Sequence, residues 1–148
     1  VRKINKFIVH CSATREGQDI DVATIRDWHV NERGWSDIGY HYVIYLDGTI
    51  HNGRDIRISG AHTKGQNTNS IGICYIGGVE SDGKTPKDTR TDAQKEGLSM
   101  LLLDLKAAYC EGVVHGHRDF STKECPSFDA TEEYKYISDY YGQDTELV

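Results

Sequence analysis

Four side chains of this chain carry chemistry that could converge: His10, His115, His117 and Cys125. His10 follows Lys6 to Val9, which reads as a strand. His115 and His117 end a later strand and lie two apart, so alternation puts them on the same face. Cys125 comes eight residues after His117, held in place by Pro126. Imidazole and thiolate are good zinc ligands, and a catalytic zinc needs three protein ligands plus an open position for water. Two histidines and a cysteine would meet that need. Spacing alone leaves other readings open. The histidines could be hydrogen-bonded strand residues beside a packed thiol, or Cys125 and His117 could pair as nucleophile and base.

The remaining cysteines carry less. Cys74 lies in an apolar run and Cys110 at a helix end, and both read as small core residues. No C-x-x-C pair exists, which excludes a closed zinc ribbon. The four cysteines are too scattered for a disulfide-stapled scaffold, so no folding disulfide is expected.

Elements that could position these residues follow from periodicity. Asp21 can cap a helix running to about Arg33, with Val22, Ile25 and Trp28 on one face and Gly34 as the stop. His41 to Leu46 reads as a strand, Asp47-Gly48 as a hairpin turn, and Thr49 to Asn52 as the returning strand. Ser70 to Ile76 is a strand too apolar for an exposed edge. Residues 79 to 90 form a polar loop and a candidate for disorder. Thr91 with Gln94 makes a capping box for a helix whose stripe is Leu98, Leu101, Leu102, Leu105, Ala108 and Tyr109. Val113 to Gly116 is a short strand. Asp129 caps a last helix with Tyr134, Ile137 and Tyr141 on one face. The order β-α-β-β-β-α-β-α predicts a single α/β domain, a central mixed β-sheet flanked by helices.

At 148 residues, with 37% hydrophobic and 27% charged side chains, one domain with a proper core is expected. The net charge of −6, without a basic stripe, argues against nucleic acid and against a polybasic membrane surface. No apolar run reaches membrane-spanning length and no signal peptide is visible, so no membrane insertion is expected.

The stretch Val9-His10-Cys11-Ser12-Ala13-Thr14 resembles the opening of the type-2 N-acetylmuramoyl-L-alanine amidases, especially their bacteriophage members. The same holds, in the family's order, for Gly39-Tyr40-His41-Tyr42, Asp47-Gly48-Thr49 and Gly53-Arg54-Asp55. It continues through Ala61-His62-Thr63-Lys64-Gly65, Asn69-Ser70-Ile71-Gly72-Ile73 and Lys123-Glu124-Cys125-Pro126-Ser127-Phe128-Asp129. These blocks span nearly the whole chain. Animal peptidoglycan recognition proteins share the fold and a weaker form of the pattern.

The resemblance implies one zinc per chain, with ligands His10, His117 and Cys125, and hydrolysis of the amide between N-acetylmuramic acid and L-alanine in bacterial peptidoglycan. His115 matches no family ligand and reads as structural. Tyr40 and Lys123 fall where the phage branch has residues that assist catalysis. Apart from the resemblance, His62 after Gly60-Ala61 reads as a residue of the substrate groove or as a surface histidine, and Arg54 or Arg57 either as a partner for a stem-peptide carboxylate or as a solvated surface residue. His41 reads as a packing residue, and His29 and His51 as solvent-facing. A monomer is expected, made without a visible leader and acting on the cell wall. Three rivals stand beside this reading: a non-catalytic receptor of the same fold, a cytosolic recycling amidase, and a structural zinc site. Receptors commonly lack the cysteine, and the recycling branch has aspartate in its place. Cys125 therefore favours the wall amidase.

Overall fold

The computed structural model describes residues 1–140. A five-stranded mixed sheet is its centre, in the order β4-β3-β5-β1-β7. The strands are β1 (Lys6–Cys11), β3 (Tyr42–Ile44), β4 (Ile50–Asn52), β5 (Ser70–Tyr75) and β7 (Val113–Gly116). β1 runs parallel to both β5 and β7, β3 runs parallel to β5, and only β4 is antiparallel to its neighbour. β4 returns through the Asp47-Gly48 turn, where Gly48 takes φ +84°, a backbone open to glycine at little cost. Two-residue strands β2 (Thr14–Arg15) and β6 (Gly78–Val79) form a separate small ribbon. No periodicity announces strands so short.

Alternation along the strands divides the core. Phe7, Val9, Ile71, Ile73, Tyr75 and Val114 face the long helix α2 (Asp92–Ala108), which meets them with Leu98, Leu101, Leu102 and Leu105. The Thr91 capping box is formed, with Gln94 Nε2 also donating to the carbonyls of Ile44 and Ile76. On the opposite face Val43 packs with Val22 and Ile25 of α1 (Val22–Asp27). His10 alternates with Val9 and so points to this second face.

Several sequence expectations need correction. The first helix does not run regularly to Arg33. After α1 it widens into a π turn, Trp28–Glu32. His29, seven residues after Val22 and four after Ile25, lies on the same buried face at 7% exposure. The last helix is two short ones, α3 (Ala130–Glu133) and α4 (Lys135–Ser138), broken at Tyr134. Tyr134 is buried, and Tyr141 lies outside the described residues. Cys110 is exposed rather than packed, because α2 ends before it. The polar 79–90 loop is tied down throughout. Val79 bridges to Pro86, and the Arg90 guanidinium, with a side chain 1% exposed, holds Asp88 and Glu133 at 2.8 Å each. Arg90 also stacks over Phe128 at 3.4 Å. No helix among the described residues is long and apolar enough to cross a membrane.

Candidate metal centre

β1 and β7 are parallel neighbours, so their carboxyl ends finish side by side. Val9 is paired with Gly116. The next step brings His10 beside His117, with ring centroids 4.5 Å apart. In open sheets of parallel strands, sites commonly form outside such strand ends. His117 opens a 3-10 turn, His117–Phe120. The chain then loops back, closed by the Arg118 N–H donating to the Cys125 carbonyl at 2.7 Å. The Tyr75 hydroxyl donates to the Pro126 carbonyl, and the Ser127 hydroxyl to that of Gly78, both at 2.7 Å. These bonds hold Cys125 over the end of β1.

One ligating atom from each of His10, His117 and Cys125 falls within 4.8 Å of the others. His10 presents Nδ1 toward Cys125 Sγ at 3.8 Å. The Cys11 N–H donates to the same sulfur at 3.2 Å, which favours a thiolate. Two imidazoles and a thiolate, with no carboxylate, are a donor set of the kind zinc takes. Burial first, then the charges of His62, His117 and Lys123, hold His10 well below the usual imidazole range. Burial and Lys123 lower His117 too. Both therefore keep free lone pairs at neutral pH. Against the Cys11 N–H donor, the adjoining Cys11 thiol and burial push the Cys125 thiol up. His10, rather than the His117 of the nucleophile-and-base alternative, is the imidazole in contact with the sulfur.

The other predicted residues separate into two groups. Tyr40 stands against His10, with ring centroids 5.1 Å apart, and lines the cavity of His10, His117 and Cys125 together with Lys123. Burial holds the Tyr40 phenol well above its usual range, so it keeps its proton. Lys123 also reaches the adjoining cavity of about 550 Å3, walled by Arg33, Trp35, His62, Lys64 and Phe120 among others. His62 lines that cavity while bonding to His10, Nδ1 to Nε2, at 2.9 Å.

Arg54, by contrast, is not free to bind a substrate carboxylate. Its guanidinium donates to the carbonyls of Ile38, Ser59 and Asp37. Arg57 pairs with Asp55 at 2.6 Å while its side chain stays 85% exposed. His115 stays out of the cluster, against Asp119 and Phe120. The alternation it shared with His117 ends where the 3-10 turn begins. His41 is buried, accepting from the Gly72 N–H at 3.0 Å and donating to the Ile58 carbonyl at 2.8 Å. His51 stacks on Tyr45 at 3.6 Å. His29 is not solvent-facing: its Nδ1 accepts the Gly39 N–H at 2.9 Å, which steadies the residue before Tyr40. Sequence reasoning also missed Thr63 and the Cys11 N–H. Both sit beside residues it singled out, but a backbone donor leaves no mark in a sequence.

Comparison with known proteins places these features. A family model described as N-acetylmuramoyl-L-alanine amidase matches residues 1–128. The endolysin of Enterobacteria phage T3 is 48% identical over 123 residues, covering 83% of this chain and 80% of the relative. The endolysin of Klebsiella phage KP32 is 44% identical over 128 residues, 86% of this chain and 83% of the relative. Among solved structures, the endolysin N-acetylmuramoyl-L-alanine amidase LysCS from Clostridium intestinale URNW superposes with a TM-score of 0.77 at 29% identity, covering 91% of this chain and 83% of that one.

Proposed function

The chain belongs to the N-acetylmuramoyl-L-alanine amidase family, and we propose that it works as a cell-wall endolysin with one zinc ion held by His10, His117 and Cys125. It hydrolyses the amide between N-acetylmuramic acid and L-alanine of peptidoglycan. The observation that carries the zinc assignment is the convergence of two neutral imidazoles and one cysteine sulfur at the ends of β1 and β7. When bound, zinc supplies a Lewis acid that activates water at neutral pH and polarises the scissile carbonyl.

The chain's own residues do the rest. Lys123 brings an ammonium to the cavity, where it offsets the charge that develops on the carbonyl oxygen. Tyr40, kept protonated by burial, donates a hydrogen bond toward the same oxygen. The Cys11 N–H and the loop bonds around Pro126 hold the Cys125 sulfur in place. Among the described residues the adjoining cavity presents Arg33 and Lys64 and no carboxylate on its walls, which suits a stem peptide bearing carboxylates.

Digestion of purified sacculi followed by mass spectrometry tests the reaction. Free peptides with L-alanine at the amino end are expected, with the glycan strands left uncut. Release of sugar fragments without free peptides would overturn the reading.

A further inference from the structure

A ligand histidine bound to a metal through one nitrogen carries its proton on the other, and the acceptor of that proton fixes the ring. His10 turns Nδ1 toward Cys125, so its free nitrogen is Nε2. Two acceptors lie within reach of it: His62 Nδ1 at 2.9 Å and Thr63 Oγ1 at 3.2 Å. The nearer is an imidazole standing edge-on to His10, with an interplanar angle of 88°. If His62 Nδ1 accepts, its own proton sits on Nε2, and an acceptor waits there too, Ser70 Oγ at 3.3 Å. Thr63 Oγ1 also lies 2.9 Å from His62 Nδ1. With that nitrogen unprotonated, the hydroxyl can only donate to it or turn away. On these assignments the tautomers are consistent from Ser70 to the cluster.

His62 is also held more firmly than a groove-lining residue requires. Its N–H and that of Thr63 both donate to Asn67 Oδ1 at 3.0 Å. Its ring is packed on glycine: a Cβ on Gly72 would lie 2.4 Å from the ring, and one on Gly60 would lie 2.7 Å from it. Any side chain at Gly72 would push the imidazole off His10.

We propose that His62 is a positioning residue for the metal ligand His10, accepting a hydrogen bond from the His10 Nε2–H on its own Nδ1 and so presenting His10 Nδ1 to the metal. This rests on the zinc reading above. It assigns His62 a role in holding the metal rather than in contacting the stem peptide.

The test compares zinc affinity, by competition with a chromophoric chelator, across wild type, His62→Leu, His62→Asn and Thr63→Val. Asparagine and leucine have nearly the same shape, but only asparagine keeps an acceptor near the Nδ1 position. His62→Leu should weaken zinc binding about 10- to 100-fold. His62→Asn should recover most of that loss, and Thr63→Val should lose less than His62→Leu. Wild-type affinity in His62→Leu, or the whole loss appearing in Thr63→Val, would overturn the proposal while leaving the zinc reading intact. Wild-type protein that binds no zinc would sink both. Nitrogen-15 spectra of zinc-loaded wild type give a check that needs no variant. They should show His62 protonated on Nε2 alone, and a proton on its Nδ1 would contradict the assignment.

Discussion

Lys123 is exposed on its loop, yet it lies at the cavity that holds His10, His117 and Cys125. On the proposed reading, an ammonium there would act on the developing oxyanion more than on the uncharged amide. Lys123→Ala should therefore lose about 100-fold or more in turnover, with zinc content and sacculus binding little changed. Cys125→Ser should lose most of its zinc, since a hydroxyl is a far weaker zinc ligand than a thiolate. Turnover, metal content and binding measured on the same preparations separate the two effects. The same residues show what a sequence hides. The blocks around Lys123 and Tyr40 pointed to both, and both lie at the cavity of His10, His117 and Cys125. Arg54 was misplaced, because nothing local shows that three backbone carbonyls wait for its guanidinium. His29 was misplaced although its spacing from Val22 and Ile25 already puts it on the buried face; its polar side chain hid that position.

At the scale of elements, the long helix and the central strands were legible because their apolar stripes follow one period each. The break between α3 and α4 was not, since Tyr134 continues the stripe while the backbone turns. Arg90 shows why the 79–90 loop could not be read as ordered. Its partners, Asp88, Glu133, Tyr134 and Phe128, come from three segments, and only the fold assembles them. The guanidinium clamps this loop to the one carrying Cys125. Arg90→Leu should destabilise the fold by about 3 kcal/mol, the low end for breaking a buried pair, because both carboxylates keep access to water. Urea unfolding of the variant measures this, and a change below about 0.5 kcal/mol would make the clamp incidental.

Across the whole molecule, the sheet order decides what local spacing could not. His10 and His117 stand over a hundred residues apart in sequence and meet only because β1 and β7 are adjacent and parallel. Packing so many histidines inside has a pH consequence. Burial, with the Arg33 and Arg54 charges, lowers His29 to about 4. Burial, with His41 and other nearby charges, lowers His62 to about 3. The unfolded chain titrates its histidines near 6.5 and so binds more protons than the folded one below that pH. Stability is thus full above about pH 6.5 and falls as pH drops toward 4. Melting of metal-free protein should shift down by several degrees over that window, and a flat profile would contradict neutral buried rings. Cys11, Cys74 and Cys125 are free thiols in the fold, as is the exposed Cys110. Mild reductant with metal retained should leave the melting point unchanged.

The most direct test measures zinc and peptide release on one preparation, purified without added metal. About one zinc per chain is predicted by elemental analysis. Release of stem peptide from sacculi should disappear when a chelator strips the metal and return when zinc is restored. Full release from metal-free protein, or zinc-loaded protein that binds sacculi and frees no peptide, would contradict a zinc amidase built on His10, His117 and Cys125.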